Sequence, residues 1–154
     1  MKRALLTLAY WVYGLRWRIF HPITLGVRVM LVSNGGVLMV RHSYQQAWNF
    51  PGGGVKRGET LAEAAAREAH EEAGARFLEP PVLLGVFASF QEGKNDHIAL
   101  FVCERFTLEP PTDRWEIEAR AVFPVAGLPG RPGGRLQRCA ADYLAGRRGL
   151  VERW

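Results

Sequence analysis

Three glutamates, Glu68, Glu71 and Glu72, recur at helical spacing within the short segment from Leu61 to Ala73. At 100° per residue they share an arc of about 100° on one side of a helix. Like charges at such spacings repel by a few tenths of a kcal/mol per pair even when solvated. Burial would add to that cost and raise the carboxyl pKa values. Arg67 stands among them, but Glu59 and Glu63 compete for it. The spacing thus points to a surface cluster that converges on one point and lacks one or two divalent cations. Hard oxygen ligands without histidine or cysteine favour Mg²⁺ or Mn²⁺ over Zn²⁺. The preceding run Pro51-Gly52-Gly53-Gly54 has unhindered backbone groups that can approach a metal or a phosphate. The bland alternative is a solvated acidic face on an amphipathic helix. The glycine run, the helix start and the spacing together argue against it.

The elements that must position these groups are legible. Thr60 followed by Glu63 forms a capping box, and Gly74 suits a left-handed stop, so a helix is expected over Leu61 to Ala73. Ala62, Ala65, Ala66, Ala69 and Ala73 would share the face lying on a sheet, with the acids beside it. Ahead of it, TLGVRVMLVS and VLMVRHS flank Asn34-Gly35-Gly36 and read as a hairpin. WNFPGGG reads as irregular. Further strands are expected at VLLGVFASF, at HIALFVCERF and at EIEARAVFPV, with QEGKND as a turn and a last helix from Arg135 to Ala145. Strands outnumber helices, which suggests a mixed sheet covered by helices, an α/β or α+β sandwich.

The chain has 154 residues, 48% of them apolar, which suits one ordered domain. The net charge of +5 favours polyanionic partners. The arginines read as scattered, so a small phosphorylated ligand is expected and nucleic acid is not. Cys103 and Cys139 have no metal-binding spacing and read as buried thiols in a reducing, cytoplasmic setting. Residues 1–21 read as an N-terminal amphipathic helix ahead of a domain over 22–154. The apolar run from Ala4 to Leu15 is too short to span a bilayer, and RWRIF replaces a cleavage site. Two readings stay open for this helix. It lies across the domain or a dimer partner, or it rests on a membrane surface with Trp11, Arg16, Trp17 and Arg18 at the headgroups.

The spacing Gly53, Glu59, Arg67-Glu68-Ala69-His70-Glu71-Glu72-Ala73-Gly74-Ala75 resembles the box of the Nudix hydrolase superfamily, G-x5-E-x7-R-E-U-x-E-E-x-G-U. Ala69 and Ala75 are small where the family carries bulkier aliphatic residues. The resemblance implies an α/β/α sandwich with a mixed sheet and a loop-helix-loop motif. It also implies divalent-metal-dependent hydrolysis of the pyrophosphate in a nucleoside diphosphate linked to another group. By the same resemblance Glu71 and Glu72 are the main metal ligands, and Glu68 is a further ligand or the group that activates water. The Gly52 carbonyl is a backbone ligand, and Glu59 and Arg67 join loop to helix. Glu116 or Glu118, with Asp96 behind them, would supply a distal carboxylate.

Arg41 and Arg28 are candidates for phosphate binding and Trp48 for stacking on a base, with surface or core roles as the alternatives. His70 falls away from the acids and reads as structural, while His42 and His97 are weaker substrate candidates. Two other functions compete: a nucleotide-binding or regulatory domain without hydrolysis, and a membrane-associated or oligomeric module built on the N-terminal helix. Homodimerisation is a further expectation from the family.

Overall fold

Alternating β-branched residues around Asn-Gly produce a hairpin. β1 (Ile23–Ser33) and β2 (Gly36–His42) pair antiparallel, with Leu31 opposite Leu38 and Ser33 opposite Gly36. Asn34 and Gly35 take the left-handed angles that this two-residue turn requires, φ 50° and 72°. The structure is a computed structural model and describes residues 23–90, 95–113 and 115–154. The helix expected over residues 1–21 lies outside the described residues.

Beyond the turn the two strands separate, and the segment carrying the glycines fills the gap. β2 pairs with β3 (Trp48–Asn49), Val40 against Asn49 and Arg41 against Trp48. On the other side of the split, the Val27 and Val29 amides donate to the Gly53 and Pro51 carbonyls, both at 2.9 Å, and the Val55 amide donates to Leu25 at 3.2 Å. The expected irregular segment is therefore backbone-paired on both sides. Two residues of strand are too few to leave an alternation in the sequence.

The rest of the sheet grows outward from β1. β6 (Asn95–Cys103) lies parallel to it, β5 (Val82–Ser89) antiparallel to β6, and β9 (Leu150–Arg153) parallel to β5. β8 (Ile117–Pro124) pairs antiparallel with β2. The seven-stranded sheet is thus mixed. β4 (Ala75–Phe77) and β7 (Phe106–Leu108) form a separate two-stranded ribbon. The single strand expected to run to Phe106 in fact ends at Cys103, and Phe106 turns away to pair with Phe77. Asn95 and Asp96, expected in a turn, belong to β6.

The two described helices cover opposite faces. α1 (Leu61–Ala73) packs on Val27, Val29, Leu31, Leu38 and Val40; α2 (Arg135–Leu144) packs on the face of Met30, Val32, Val37 and Met39. The odd-even alternation of β1 and β2 assigns these faces. The result is an α+β sandwich with a mixed sheet. Thr60 caps α1: its side chain accepts from the Glu63 amide at 3.2 Å while Glu63 Oε2 accepts from the Thr60 amide at 2.8 Å. Gly74 closes the helix at φ 73°, where an added Cβ would lie 1.9 Å from the Glu109 carbonyl oxygen. The buried face of α1 is Ala64, Ala65, Ala69, Glu72 and Ala73. Ala62 is exposed and Ala66 only half-buried, so the face is rotated from the expected alanine stripe. A carboxylate sits on it because the sheet side offers that carboxylate donors.

Thr60→Ala removes one half of the reciprocal cap. We expect the urea unfolding midpoint to fall by the equivalent of about 1 kcal/mol, with an unchanged slope.

Candidate active site

The glycine segment and α1 meet through side chains of the helix. Glu72 is almost fully buried; its Oε2 accepts the Gly52 amide at 2.9 Å and its Oε1 lies 3.0 Å from His42 Nε2. His42 ends β2 on the α1 face, and its ring lies 5.2 Å from that of Tyr44. Glu68 lies against Gly53: a Cβ there would stand 2.6 Å from Glu68 Oε1 and 3.0 Å from Oε2. Only glycine leaves that carboxylate its place. Gly52 is similarly constrained from the strand side, at φ 150° with Val27 O at 2.1 Å from an added Cβ.

Arg67 organises the outer part of the cluster. Its Nε donates to Glu59 Oε1 at 2.6 Å and its Nη1 to Glu68 Oε1 at 2.6 Å and Glu71 Oε2 at 3.0 Å. Nη2 reaches the Gly54 carbonyl at 3.0 Å. Lys56 Nζ is 3.9 Å from Glu71 Oε1. The acids therefore have more cationic company than their sequence neighbours suggest. Burial pushes the Glu68 carboxyl up, Arg67 opposes this, and Glu72 and Glu71 add to it. The Arg67 hydrogen bond holds Glu59 low, at about 2.

Two expectations need correction. The three glutamates do not converge on one point: Glu72 turns inward to Gly52 and His42, while Glu68 and Glu71 share Arg67. Among the described residues no three histidine, cysteine or acidic side chains already stand at metal-ligand spacing. Nor is the cluster wholly a surface one. The Glu71 side chain is 38% exposed but that of Glu72 only 6%. An all-oxygen donor set of Glu68, Glu71, Glu72 and the Gly52 carbonyl nevertheless suits Mg²⁺ or Mn²⁺. Among the described residues, Glu59, Glu68, Glu71 and Glu72 face only Arg67 and Lys56 as full cations in contact, which leaves two negative charges for a divalent ion to meet.

The other candidates divide between the two faces. Glu116 accepts the Tyr44 hydroxyl at 3.0 Å, and Tyr44, pushed up by burial and by Glu116, also senses Glu72 and Arg28. Glu116 is thereby held on the Glu72 side of the site. Asp96 is tied to Thr24 instead. Arg28 Nη1 donates to the Phe50 and Gly52 carbonyls at 3.0 and 2.8 Å, fixing the glycine segment from the strand. Arg41 lies across the sheet from His42. Its guanidinium stands 5.2 Å over the Trp48 ring, and its Nε is 3.4 Å from Glu118 Oε2. The register skips Glu118 between Arg41–Ala119 and His42–Ile117, and this bulge re-aims it. Trp48 also meets Phe123 edge-on at 5.1 Å. His70 pairs with Glu109 at 3.5 Å, away from the acids.

Sequence reasoning missed Tyr44, which supports Glu116, and Arg120, whose Nη1 donates to the Ala73 carbonyl at 2.6 Å and so satisfies the end of α1. Alternation alone could have placed His42 and Tyr44 on one face, but nothing local announces contacts 30 and 72 residues away.

A model of the NUDIX domain matches residues 22–139. A curated RNA pyrophosphohydrolase from Baumannia cicadellinicola subsp. Homalodisca coagulata is 51% identical over 43 residues, covering 28% of this chain and 27% of that protein. The matched segment thus spans about a quarter of the curated relative. A NUDIX hydrolase from Nitrosomonas europaea superposes with a TM-score of 0.69 at 25% identity, covering 83% of this chain and 93% of that one. A MutT NUDIX hydrolase from Burkholderia pseudomallei gives 0.66 at 25% identity, with 79% and 97% covered.

The depressed Glu59 pKa has a measurable signature. Its carboxylate contribution to stability is present above the ordinary value of 4.5 and is lost as pH falls toward about 2. A ¹³C carboxyl titration should place Glu59 near that low value and return it to the ordinary range in Arg67→Met.

Proposed function

The chain belongs to the NUDIX family, and from that membership and the geometry of the site we propose that it hydrolyses the pyrophosphate bond of a nucleoside diphosphate linked to another group, with Mg²⁺ or Mn²⁺. The observation that carries this reading is the set of three box carboxylates, Glu68, Glu71 and Glu72, on one capped helix, clasped to the glycine segment by Glu72 and Gly52. The names of the matched relatives, a pyrophosphohydrolase and two NUDIX hydrolases, support the reaction class.

In this reading Glu71, Glu72 and the Gly52 carbonyl would hold the cation, with Glu116 as the distal carboxylate. The bound cation supplies charge neutralisation at the phosphate under attack. Glu68 takes a proton from the attacking water as the water oxygen bonds to phosphorus and the bridging P–O bond breaks, the electron pair leaving with the departing oxygen. Glu59 and Arg67 keep the loop on the helix, and Arg67 positions the Glu68 and Glu71 carboxylates beside each other. Arg28 acts on substrate through the carbonyls it holds, and Arg41 with Trp48 forms a cationic aromatic wall for the nucleotide. Two buried free thiols support a reducing, cytoplasmic setting.

Glu71 is the informative position for mutation. Glu72→Gln would set an amide donor or a neutral oxygen against the buried Gly52 amide and disturb the fold itself. Glu71→Gln should lower kcat on the preferred nucleotide at least about a hundredfold while the metal-free melting temperature stays close to that of the parent. A folded Glu71→Gln protein with near-parental turnover would refute the assigned site. Millimolar Mg²⁺ should raise the melting temperature of the parent by several degrees, because the cluster exists only in the native state. That shift should shrink in Glu71→Gln; an equal shift in both proteins would place the cation elsewhere.

A further inference from the structure

The face of the sheet opposite the acids carries a second feature. A cavity of about 550 Å³, the size of a small-ligand site, lies between β3 and the N-terminal part of α2. Trp48 and Gln46 line one wall; Trp154, Arg131, Arg135 and Arg138 line the other. The cationic wall is a local concentration of charge. Residues 130–154 contain six arginines against Asp142 and Glu152, so +4 of the net +5 lies in this last stretch. The scattered arginines of the linear reading are therefore gathered at one end of the chain.

Several of these arginines are already engaged. Arg147 pairs with Asp142, Arg148 lies over Tyr143, Arg153 over Phe90 and Arg135 over Trp154. Arg131 and Arg138 have no carboxylate partner among the described residues. The wall that presents them is fixed: the Gly133 amide donates to Gln137 Oε1 at 2.9 Å, and Gln137 Nε2 donates to the Leu128 carbonyl at 3.0 Å. Trp48 precedes Gly52 by four residues, so its backbone stands at most about 14 Å from that of the glycine segment. A ligand seated in the cavity would contact the Trp48 ring on one wall and the arginines on the other.

We propose that this cavity binds a second phosphate of the substrate, one outside the pyrophosphate that is cleaved, carried on the same nucleotide. Such a phosphate is a terminal 3′-phosphate or the first phosphodiester of an oligonucleotide. The Trp48 and Trp154 rings, on facing walls, take the nucleoside, and Arg131 and Arg138 donate charge-assisted hydrogen bonds to the phosphate oxygens. The assignment takes its substrate class from the hydrolase reading above, but its test does not require turnover.

The full chain would be titrated in EDTA with adenosine 5′-monophosphate, adenosine 3′,5′-bisphosphate and the 5′-phosphorylated ApA dinucleotide, following tryptophan fluorescence. The bisphosphate should bind about tenfold more tightly than the monophosphate. Arg131→Gln/Arg138→Gln should abolish that difference, and Arg138→Gln alone should reduce it, each with a parental circular dichroism spectrum. A dinucleotide that matches the bisphosphate identifies a phosphodiester as the ligand, and a weaker one identifies a terminal phosphate. Equal binding of mono- and bisphosphate by the parent, or a difference that survives in the double variant, overturns the proposal. Failure of the hydrolase reading is separate: it appears as absent metal-dependent turnover whatever the binding shows.

Discussion

The buried carboxylate of Glu72 is the contact on which the site depends. Taking a carboxylate out of water costs several kcal/mol unless donors replace the lost hydration. Here the donors come from two distant places, the Gly52 amide in the split of the sheet and His42 at the end of β2. One side chain thereby fixes the rotation of α1 about its axis, the seating of the glycine segment and the end of a strand. The neighbouring acids inherit their places from that rotation. Glu68 falls against Gly53, and Glu71 falls at the rim with Arg67 and Lys56.

Around this contact the molecule separates tasks by the pleat of the sheet. In β2, Val40 and His42 face α1 and the acids, whereas Met39 and Arg41 face the α2 side. Negative charge collects on the first face and positive charge on the second. The segment from Trp48 to Val55 joins them, since Trp48 belongs to the arginine-lined cavity and Gly52 to the carboxylate cluster. An elongated anionic ligand of the proposed kind would meet complementary fields at its two ends, the acidic one through a cation and the basic one directly.

Much of this architecture was legible in the sequence, for reasons that are local. The Asn34-Gly35 turn, the Thr60–Glu63 cap and the Gly74 stop each depend on residues within one turn of chain, and each appears where the pattern put it. The box spacing named the acids because helix periodicity is rigid. What escaped was set by partners far along the chain. The strands β3, β4, β7 and β9 have two to four residues, too short for a period. The inward turn of Glu72 needed His42 and Gly52 in place, and the hold on Glu116 needed Tyr44 from another strand. Arginines far from the acids in sequence looked scattered until the fold set a tryptophan wall opposite them.

The split between β1 and β2 has a consequence for how the site comes into being. The Trp48–Val55 segment has no sheet partner of its own until both flanking strands stand apart at the correct spacing, because β2 serves one end of it and β1 the other. The hairpin turn can close locally, but β1 also needs β6, some seventy residues later, to settle into its parallel register. The carboxylates therefore lack their clasp in any half-assembled chain. The proposed cleavage would be tied to completion of the sheet: an immature or locally opened molecule keeps its acidic helix but lacks the seated glycine segment that faces it.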